Sequence, residues 1–277
     1  MFTLNCNGKL LAIDKPLVMG IINVTPDSFY SGSRFMKMDA VLKQTEQMLK
    51  EGASIVDIGG QSTRPGSERI TVDEELERTI EPIAAIHKSF PDAIISIDTF
   101  YSGVASAAIA AGASIVNDTS AGSVDENMIT TLAALKTPYV LMHTQGTAQT
   151  MQQHPKYENV TREVLDFFIS KIDSLHKAGI NDIIIDPGFG FGKTIAHNFE
   201  LLRNLSVFKI FNCPIMLGIS RKSTIYKTLN TSADAALNGT TVLNTMGLIN
   251  GASILRVHDV KEAVEAVTLW LAYNNRS

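Results

Sequence analysis

Cysteine is scarce in this chain. Its 277 residues hold two, Cys6 and Cys213, far apart and in no metal-ligand spacing, which excludes a disulfide framework and a thiolate metal site. Excess positive charge is absent as well: 24 Lys and Arg against 28 Asp and Glu give a formal net charge of −4 and a pI near 5.9. A nucleic-acid or anionic-membrane surface does not fit that balance, and any anion the protein binds must meet local positive charge. No apolar run approaches membrane-spanning length. The opening MFTLNCNGKLLAIDKP carries no basic segment followed by a long apolar stretch, so it does not read as a signal peptide, and a cytoplasmic location is expected. Linkers, low-complexity tracts, a Ser-His-Asp pattern and an HExxH motif are all missing. With 45% hydrophobic residues, the chain reads as one domain over 1–277 with a core large enough to need no covalent staple.

What is present is a repeat of short apolar runs bounded by Gly, Pro or Asn: residues 17–23, 54–60, 93–99, 114–119, 139–143, 182–188, 215–220 and 253–259. Each places Ile, Val, Leu or Met at successive positions, as strands covered on both faces do, and period-two alternation is largely missing. The intervening segments read as helices. Met38, Val41, Leu42, Thr45, Met48 and Leu49 form one apolar stripe over 38–49. Thr71 and Glu74 have capping-box spacing and open a helix expected to turn Leu76, Ile80 and Ile83 inward. Gly52, Gly112, Gly179 and Gly251 stand where helices would end. Eight such alternations with right-handed crossovers predict an α/β fold, a (β/α)8 TIM barrel. Residues 1–15 stand outside the repeat and read as a β-hairpin turning at Asn7-Gly8, placed as a lid on the barrel floor.

The strand C-termini carry Asn23, Asp57, Asp98, Asn117, His143, Asp186, Ser220 and His258. In a barrel these ends meet at one mouth, where active sites are built. Asp98, Asn117 and Asp186 offer acceptors and an amide to a flat heterocycle bearing ring N–H and amino groups. Arg64, Lys222 and Arg256 with His258 gather positive charge at the same mouth, suited to phosphate oxygens. Arg256 and His258, two apart on a strand, share a face, and only the lumen accounts for both. Asp57, ahead of Gly59 and Gly60, reads as support for the neighbouring loop as readily as a site residue. His143 is open between a base and a buried histidine. Gly188-Phe189-Gly190-Phe191-Gly192 lacks dinucleotide-fold spacing, and Gly192-Lys193-Thr194 lacks the earlier P-loop glycine because Pro187 stands there. The run reads as a loop whose glycines let backbone approach a ligand.

The blocks MGIINVTPDSF (19–29), DIGGQSTRPGS (57–67), SIDT (96–99), LMHTQG (141–146), DPGFGFGK (186–193), GISRKS (218–223) and RVHDV (256–260) resemble, in order, those of the dihydropteroate synthase family. The resemblance implies condensation of 6-hydroxymethyl-7,8-dihydropterin diphosphate with p-aminobenzoate, with Mg2+, in a homodimer. By residue, it implies a pterin held by Asp98, Asn117, Asp186 and Lys222, with Met142 in the substrate-binding set. It implies a diphosphate gripped by Asn23, Arg64, Arg256 and His258, with Asn23 the magnesium ligand. It places the arylamine near Thr63, Pro65, Phe191 and Ser223, and closing loops at 24–35 and 61–70. Asp98, Asp186, Lys222, Arg256 and His258 would carry the chemistry. The chain departs from the family pattern at Gln61, at Thr144 and in SFYSGSRF, which lacks paired glycines. Two other readings compete. A pterin-dependent methyltransferase would have no use for cations around a diphosphate, and a non-catalytic pterin binder should have lost part of the anion grip.

Overall fold

The computed structural model describes residues 1–24, 34–61, 69–146 and 155–275, with α1 side chains described from Met38 onward. Eight parallel strands make the central sheet: β3 (Leu17–Asn23), β4 (Ile55–Gly59), β5 (Ile94–Asp98), β6 (Ile115–Asp118), β7 (Tyr139–Met142), β8 (Ile183–Asp186), β9 (Met216–Leu217) and β10 (Ile254–Val257). They run in the order β8-β7-β6-β5-β4-β3-β10-β9. A parallel bridge between Ile185 and Ile215, with the Ile185 N–H donating to Pro214 O at 3.0 Å, joins the two ends into a barrel. Around it lie α1 (Arg34–Lys50), α2 (Val72–Ser89), α3 (Ser102–Ala110), α4 (Met128–Leu135), α5 (Val160–Lys177), α6 (Ile195–Arg203), α7 (Ser223–Thr228), α8 (Leu237–Ile249) and α9 (Val260–Tyr273).

Side-chain parity divides the core in two. Ile22, Ile58, Ile97, Val116, Leu141, Ile185, Leu217 and Val257 point outward and pack under the helices. The alternate positions, Met19, Ile55, Ile94, Ile115, Val140, Ile184, Met216 and Ile254, fill the lumen near its floor. The hairpin of β1 (Phe2–Cys6) and β2 (Lys9–Ile13) closes that floor: Leu4, Cys6 and Ile13 join the lumen cluster, and Asn5 N–H donates to Asp182 at 2.7 Å. Asn7 (φ 54°) and Gly8 (φ 86°) supply the two left-handed residues a tight hairpin turn requires. Each lumen aliphatic removed from water contributes roughly 1.5–3 kcal/mol, so the plug supplies stability and leaves the mouth free for chemistry.

Local signals explain the helices. Thr71 N–H donates to Glu74 Oε2 at 2.9 Å and Glu74 N–H to Thr71 Oγ1 at 3.3 Å, which is the capping box read from sequence. The stripe of α1 is buried at Val41, Thr45 and Met48 and half-buried at Met38, Leu42 and Leu49. On α2 the inward edge is Glu75, Thr79, Ile83 and Ile86, while Leu76 and Ile80 are only half-buried. The helix is rotated from the predicted stripe because Thr79 and Glu75 fill the space over Gly60, whose Cβ, were there one, would lie 2.8 Å from Thr79 Cγ2. Gly52, Gly112, Gly179 and Gly251 take φ between 84° and 117° just past helix ends. No helix among the described residues is long and apolar enough to cross a membrane.

Candidate active site

Two residues above the apolar lumen layer, the same parity brings Asp57, Asn117, Met142, Asp186 and Arg256 into the barrel, with Asp98 one step higher on β5. Register sets the neighbours. Asp98 lies beside Asn117 on β6, and Met142 beside Asp186 on β8. Asp57, Asp98, Asn117, Met142 and Asp186 are all buried, and the Arg256 side chain is 17% exposed. Asp98, Asn117 and Asp186 of the pterin set read from sequence are therefore brought together with Met142 in one lumen layer facing the mouth.

Arg256 organises that floor. Its Nε donates to Asp57 Oδ2 at 2.7 Å and its Nη2 to Asp98 Oδ2 at 2.6 Å, while Asn117 Nδ2 donates to the same Asp57 oxygen at 3.1 Å. Asp57 lies beneath the site as the anchor of Arg256 and sets the orientation of the Asn117 amide. With Nδ2 committed to Asp57, Asn117 Oδ1 is left to face a ligand. Against the burial that pulls its pKa down, the Asp57 and Asp98 carboxylates hold the Arg256 guanidinium firmly charged. Burial pushes the Asp98 carboxyl up to about 7, with Arg256 opposing and Asp57 adding to the rise. The Asp186 carboxyl is also raised by burial, and Lys222, the Gly188 N–H, Arg256 and Lys193 pull it back. Gly188 N–H donates to Asp186 Oδ1 at 2.7 Å.

Lys222, immediately ahead of α7, reaches into the mouth above Gly218. Gly218 lies beneath this corner, and a Cβ on it would stand 3.7 Å from Asp186 Oδ2 and 4.0 Å from Lys222 Nζ. Lys222 Nζ donates to Phe189 O and sits 4.4 Å from the Phe191 ring centroid. Burial lowers its pKa to about 8, Asp186 opposing. Ser223 begins α7 beside it. Arg221 holds this turn by donating Nε and Nη2 to Asp259, both at 2.8 Å. At the rim, Ser220 Oγ and His258 Nδ1 are 3.0 Å apart in a partly buried contact. Asn23 is exposed at the end of β3. Thr63, Arg64 and Pro65 lie outside the described residues, as do most of 24–35 and 61–70. Gln61, one of the departures from the family pattern, is buried and accepts the Ile70 N–H at 2.9 Å, so it closes the base of its loop.

Two buried groups went unassigned by sequence reasoning. Lys193, part of the rejected P-loop match, is 3% exposed, and its Nζ lies 2.9 Å from His143 Nδ1. Burial, then the Lys193 charge, lowers the His143 pKa to about 3, so this imidazole is neutral and lies behind the site. Glu75 on α2 is fully buried, and neither carboxyl oxygen meets a hydrogen-bond partner within bonding geometry. Burial pushes its pKa up to about 8, with the nearby Thr99 side chain opposing and Asp98 adding to the rise. A signal existed for Lys193, a charged residue inside a glycine-rich stretch just past a strand end, whereas Glu75, one acid in the run Asp73-Glu74-Glu75, carried none.

Comparison with known proteins agrees with this geometry. The model of the pterin binding enzyme family matches residues 19–258. The dihydropteroate synthase of Escherichia coli (strain K12) is 42% identical over 262 residues, covering 94% of this chain and 92% of the relative. A Yersinia pestis dihydropteroate synthase solved as a sulfonamide drug complex superposes with a TM-score of 0.93 at 38% identity, over 99% of this chain and 100% of that one. The Xanthomonas albilineans dihydropteroate synthase in complex with 7,8-dihydropteroate gives 0.89 at 36% identity, covering 99% of each chain. Over nearly its full length, with a carboxylate-lined lumen under a cationic mouth, this chain belongs to the dihydropteroate synthase family of pterin-binding enzymes.

Proposed function

We propose that the chain joins 6-hydroxymethyl-7,8-dihydropterin diphosphate to p-aminobenzoate, giving 7,8-dihydropteroate, pyrophosphate and a proton. The observation that carries the reading is the meeting of Asp98, Asn117 and Asp186 with Lys222 and Arg256 in one buried pocket. The pterin lies in the lumen, its N–H and amino groups donating to Asp98, Asn117 Oδ1 and Asp186 beside Met142, and Lys222 donates to a ring acceptor. The diphosphate lies at the rim toward Arg256, His258 and Asn23. The arylamine enters past Phe191 and Ser223. As the methylene C–O bond breaks, its electron pair leaves with the diphosphate and the aniline lone pair forms the C–N bond. The ammonium so formed then loses its proton to solvent. Positive charge developing on the pterin methylene is stabilised by Asp98 and Asp186, and charge on the leaving group by Arg256 and His258. An arylamine is nucleophilic as it stands, which fits a site whose one buried imidazole, His143, is neutral and turned away.

Mg2+ fits the donor set. Among the described residues no group of three His, Cys, Asp or Glu can hold a metal, yet Asn23 presents one exposed carboxamide oxygen at the mouth. Magnesium keeps most of its waters and binds through few protein ligands plus phosphate. Bound there, it would neutralise charge on the diphosphate. The protein acts in the cytoplasm as a homodimer, paired through Val242, Met246 and Ile249 on α8 with Leu269 and Tyr273 on α9, all exposed apolar side chains. Light scattering should return twice the chain mass. The decisive assay is pyrophosphate release by the purified protein. Release that requires both substrates and Mg2+, yields dihydropteroate and stops with a sulfonamide supports the reading. Tight pterin binding without release overturns it.

A further inference from the structure

Lys193 is a cation almost wholly withdrawn from water, in a loop whose backbone is shaped around it. Its Nζ lies 2.9 Å from His143 Nδ1, 2.9 Å from Gly188 O and 3.0 Å from Phe191 O, with His143 O farther at 3.3 Å. An ammonium has three protons and no lone pair, so three near acceptors match it and leave none of its donors bare; a neutral amine would have one donor too few. The imidazole must then carry its own proton on Nε2. Burial lowers the Lys193 pKa to about 7, with Asp186 opposing and Lys222 adding to the fall, so the ammonium prevails below neutral pH. His143, Asp186, Lys222 and the Tyr157 hydroxyl, which donates to Gly192 O at 2.9 Å, are the titratable groups around it.

The loop lies tight against the end of β7. A Cβ at Gly188 would come within 1.8 Å of His143 O, and one at Gly192 within 2.3 Å of Gln145 O, at φ of +72° and +61°. Only glycine permits that approach, and it turns the carbonyls of Gly188 and Phe191 onto the ammonium. The intervening carbonyl, Phe189 O, points the other way and accepts from Lys222 Nζ, which also covers the Phe191 ring. The loop is thus held between an inner and an outer lysine. We infer that Lys193 is a positioning residue: its ammonium moors the Gly188–Gly192 loop to the end of β7 and thereby fixes the Phe191 ring and Lys222 at the mouth. Its consequence for the arylamine rests on the function proposed above, whereas the mooring does not.

The test uses the full chain at pH 6, where Lys193 is held as the ammonium. In Lys193→Met, peptides covering 188–193 should exchange amide hydrogens about tenfold faster or more, because the loop opens locally without the fold. The apparent KM for p-aminobenzoate should rise on the order of tenfold while the pterin Kd moves less than about threefold, since small misplacements near a reacting centre have large effects. Lys193→Gln, which keeps two N–H donors, should move both readings less far in the same direction and serves if the methionine variant fails to fold. Lys193→Cys alkylated with bromoethylamine restores an ammonium at nearly the same reach and should recover both values, the parent being treated in parallel. Parent-like exchange in Lys193→Met and Lys193→Gln overturns the inference, as does failure of the aminoethylated protein to recover. If the parent makes no dihydropteroate but exchange still rises in the variants, the proposed function falls and the mooring stands.

Discussion

Replacing Asp57 with asparagine isolates the charge beneath the site with almost no change of shape. One carboxylate oxygen, Oδ2, takes donors from Arg256 Nε, Arg256 Nη2 and Asn117 Nδ2, while Oδ1 is buried without a hydrogen-bond partner. In Asp57→Asn the amide oxygen must take the Oδ2 position, leaving the NH2 where Oδ1 was, a buried donor facing nothing. That costs about 1–3 kcal/mol. Breaking a buried ion pair costs about 3–5 kcal/mol, but Asp98 stays 2.6 Å from Arg256 and keeps the guanidinium partnered, so only part of this is lost. The net is a destabilisation of roughly 3 kcal/mol, or about 6–10 °C in Tm for a chain of this size. If the amide flips instead, Asn117 loses its orienting acceptor and the pterin pocket its fixed Oδ1, which should weaken pterin binding about tenfold. A further consequence has a definite sign. Asp57 is one of the groups holding the Asp98 carboxyl up to about 7, so its neutralisation lowers that value and moves the acid limb of pterin binding to lower pH. Urea titration gives the stability, and calorimetry from pH 5 to 8 gives the binding. A variant within about 0.5 kcal/mol of the parent, as surface substitutions are, with an unmoved acid limb, would refute the assignment of Asp57 to the site floor.

Other outcomes follow from the same geometry. Glu75 ordinarily titrates near 4.5 and here is pushed up to about 8, so its contribution to stability is complete below pH 4.5 and lost as pH rises through 8. Across that window the parent should lose up to about 1.4 kcal/mol per pH unit, and Glu75→Gln should be flatter, which chemical denaturation at several pH values measures. Partial burial and the Arg256 charge push free His258 down to about 4. A bound diphosphate opposes Arg256, so binding near pH 6 should take up a proton that His258→Gln does not take up; equal buffer dependence of the two binding enthalpies would contradict this. Gly188→Ala places a Cβ 1.8 Å from His143 O at positive φ, and should lower stability by about 3 kcal/mol or more and weaken p-aminobenzoate binding, read by thermal melts and KM.

The fold was legible because parallel strands wrapped in helices write their position as unbroken aliphatic runs, and because Thr71, Glu74 and the helix-terminal glycines act through local chemistry. Where the reading missed, tertiary packing prevailed. The expected strand at 215–220 shrinks to Met216–Leu217, its backbone leaving the ladder at Gly218 beside Asp186 and Lys222. The seven-residue 3-10 helix at Leu205–Phe211 carried no pattern that separated it from the end of α6. The stripe of α2 was taken from its aliphatics alone, and the carboxyl of Glu75 lies inside because Gly60 leaves space for it.

The ring of polar strand ends was legible as a set, but the roles within it depend on depth, which a linear pattern does not carry. Asp57 and Asp98 look alike as acids near strand ends. Yet Ile55, Asp57 and Gly59 share one face of β4, and with Ile55 in the lumen floor Asp57 must follow it inward. That parity, applied strand by strand, places Asp57 and Arg256 together in the lumen layer just above the aliphatics. Arg256 shows the same point from the other side. As a rim cation it would meet only diphosphate, but two residues above Ile254 it reaches Asp57 and Asp98 as well, so one guanidinium ties the pterin acceptors to the leaving-group end. Its charge favours ionised Asp98, which suits a carboxylate that must accept from the pterin. It also opposes protonation of His258, leaving that imidazole to charge when the diphosphate arrives. The chemistry at the two ends of the substrate is therefore coupled through a residue whose place follows from counting alternate positions along one short strand.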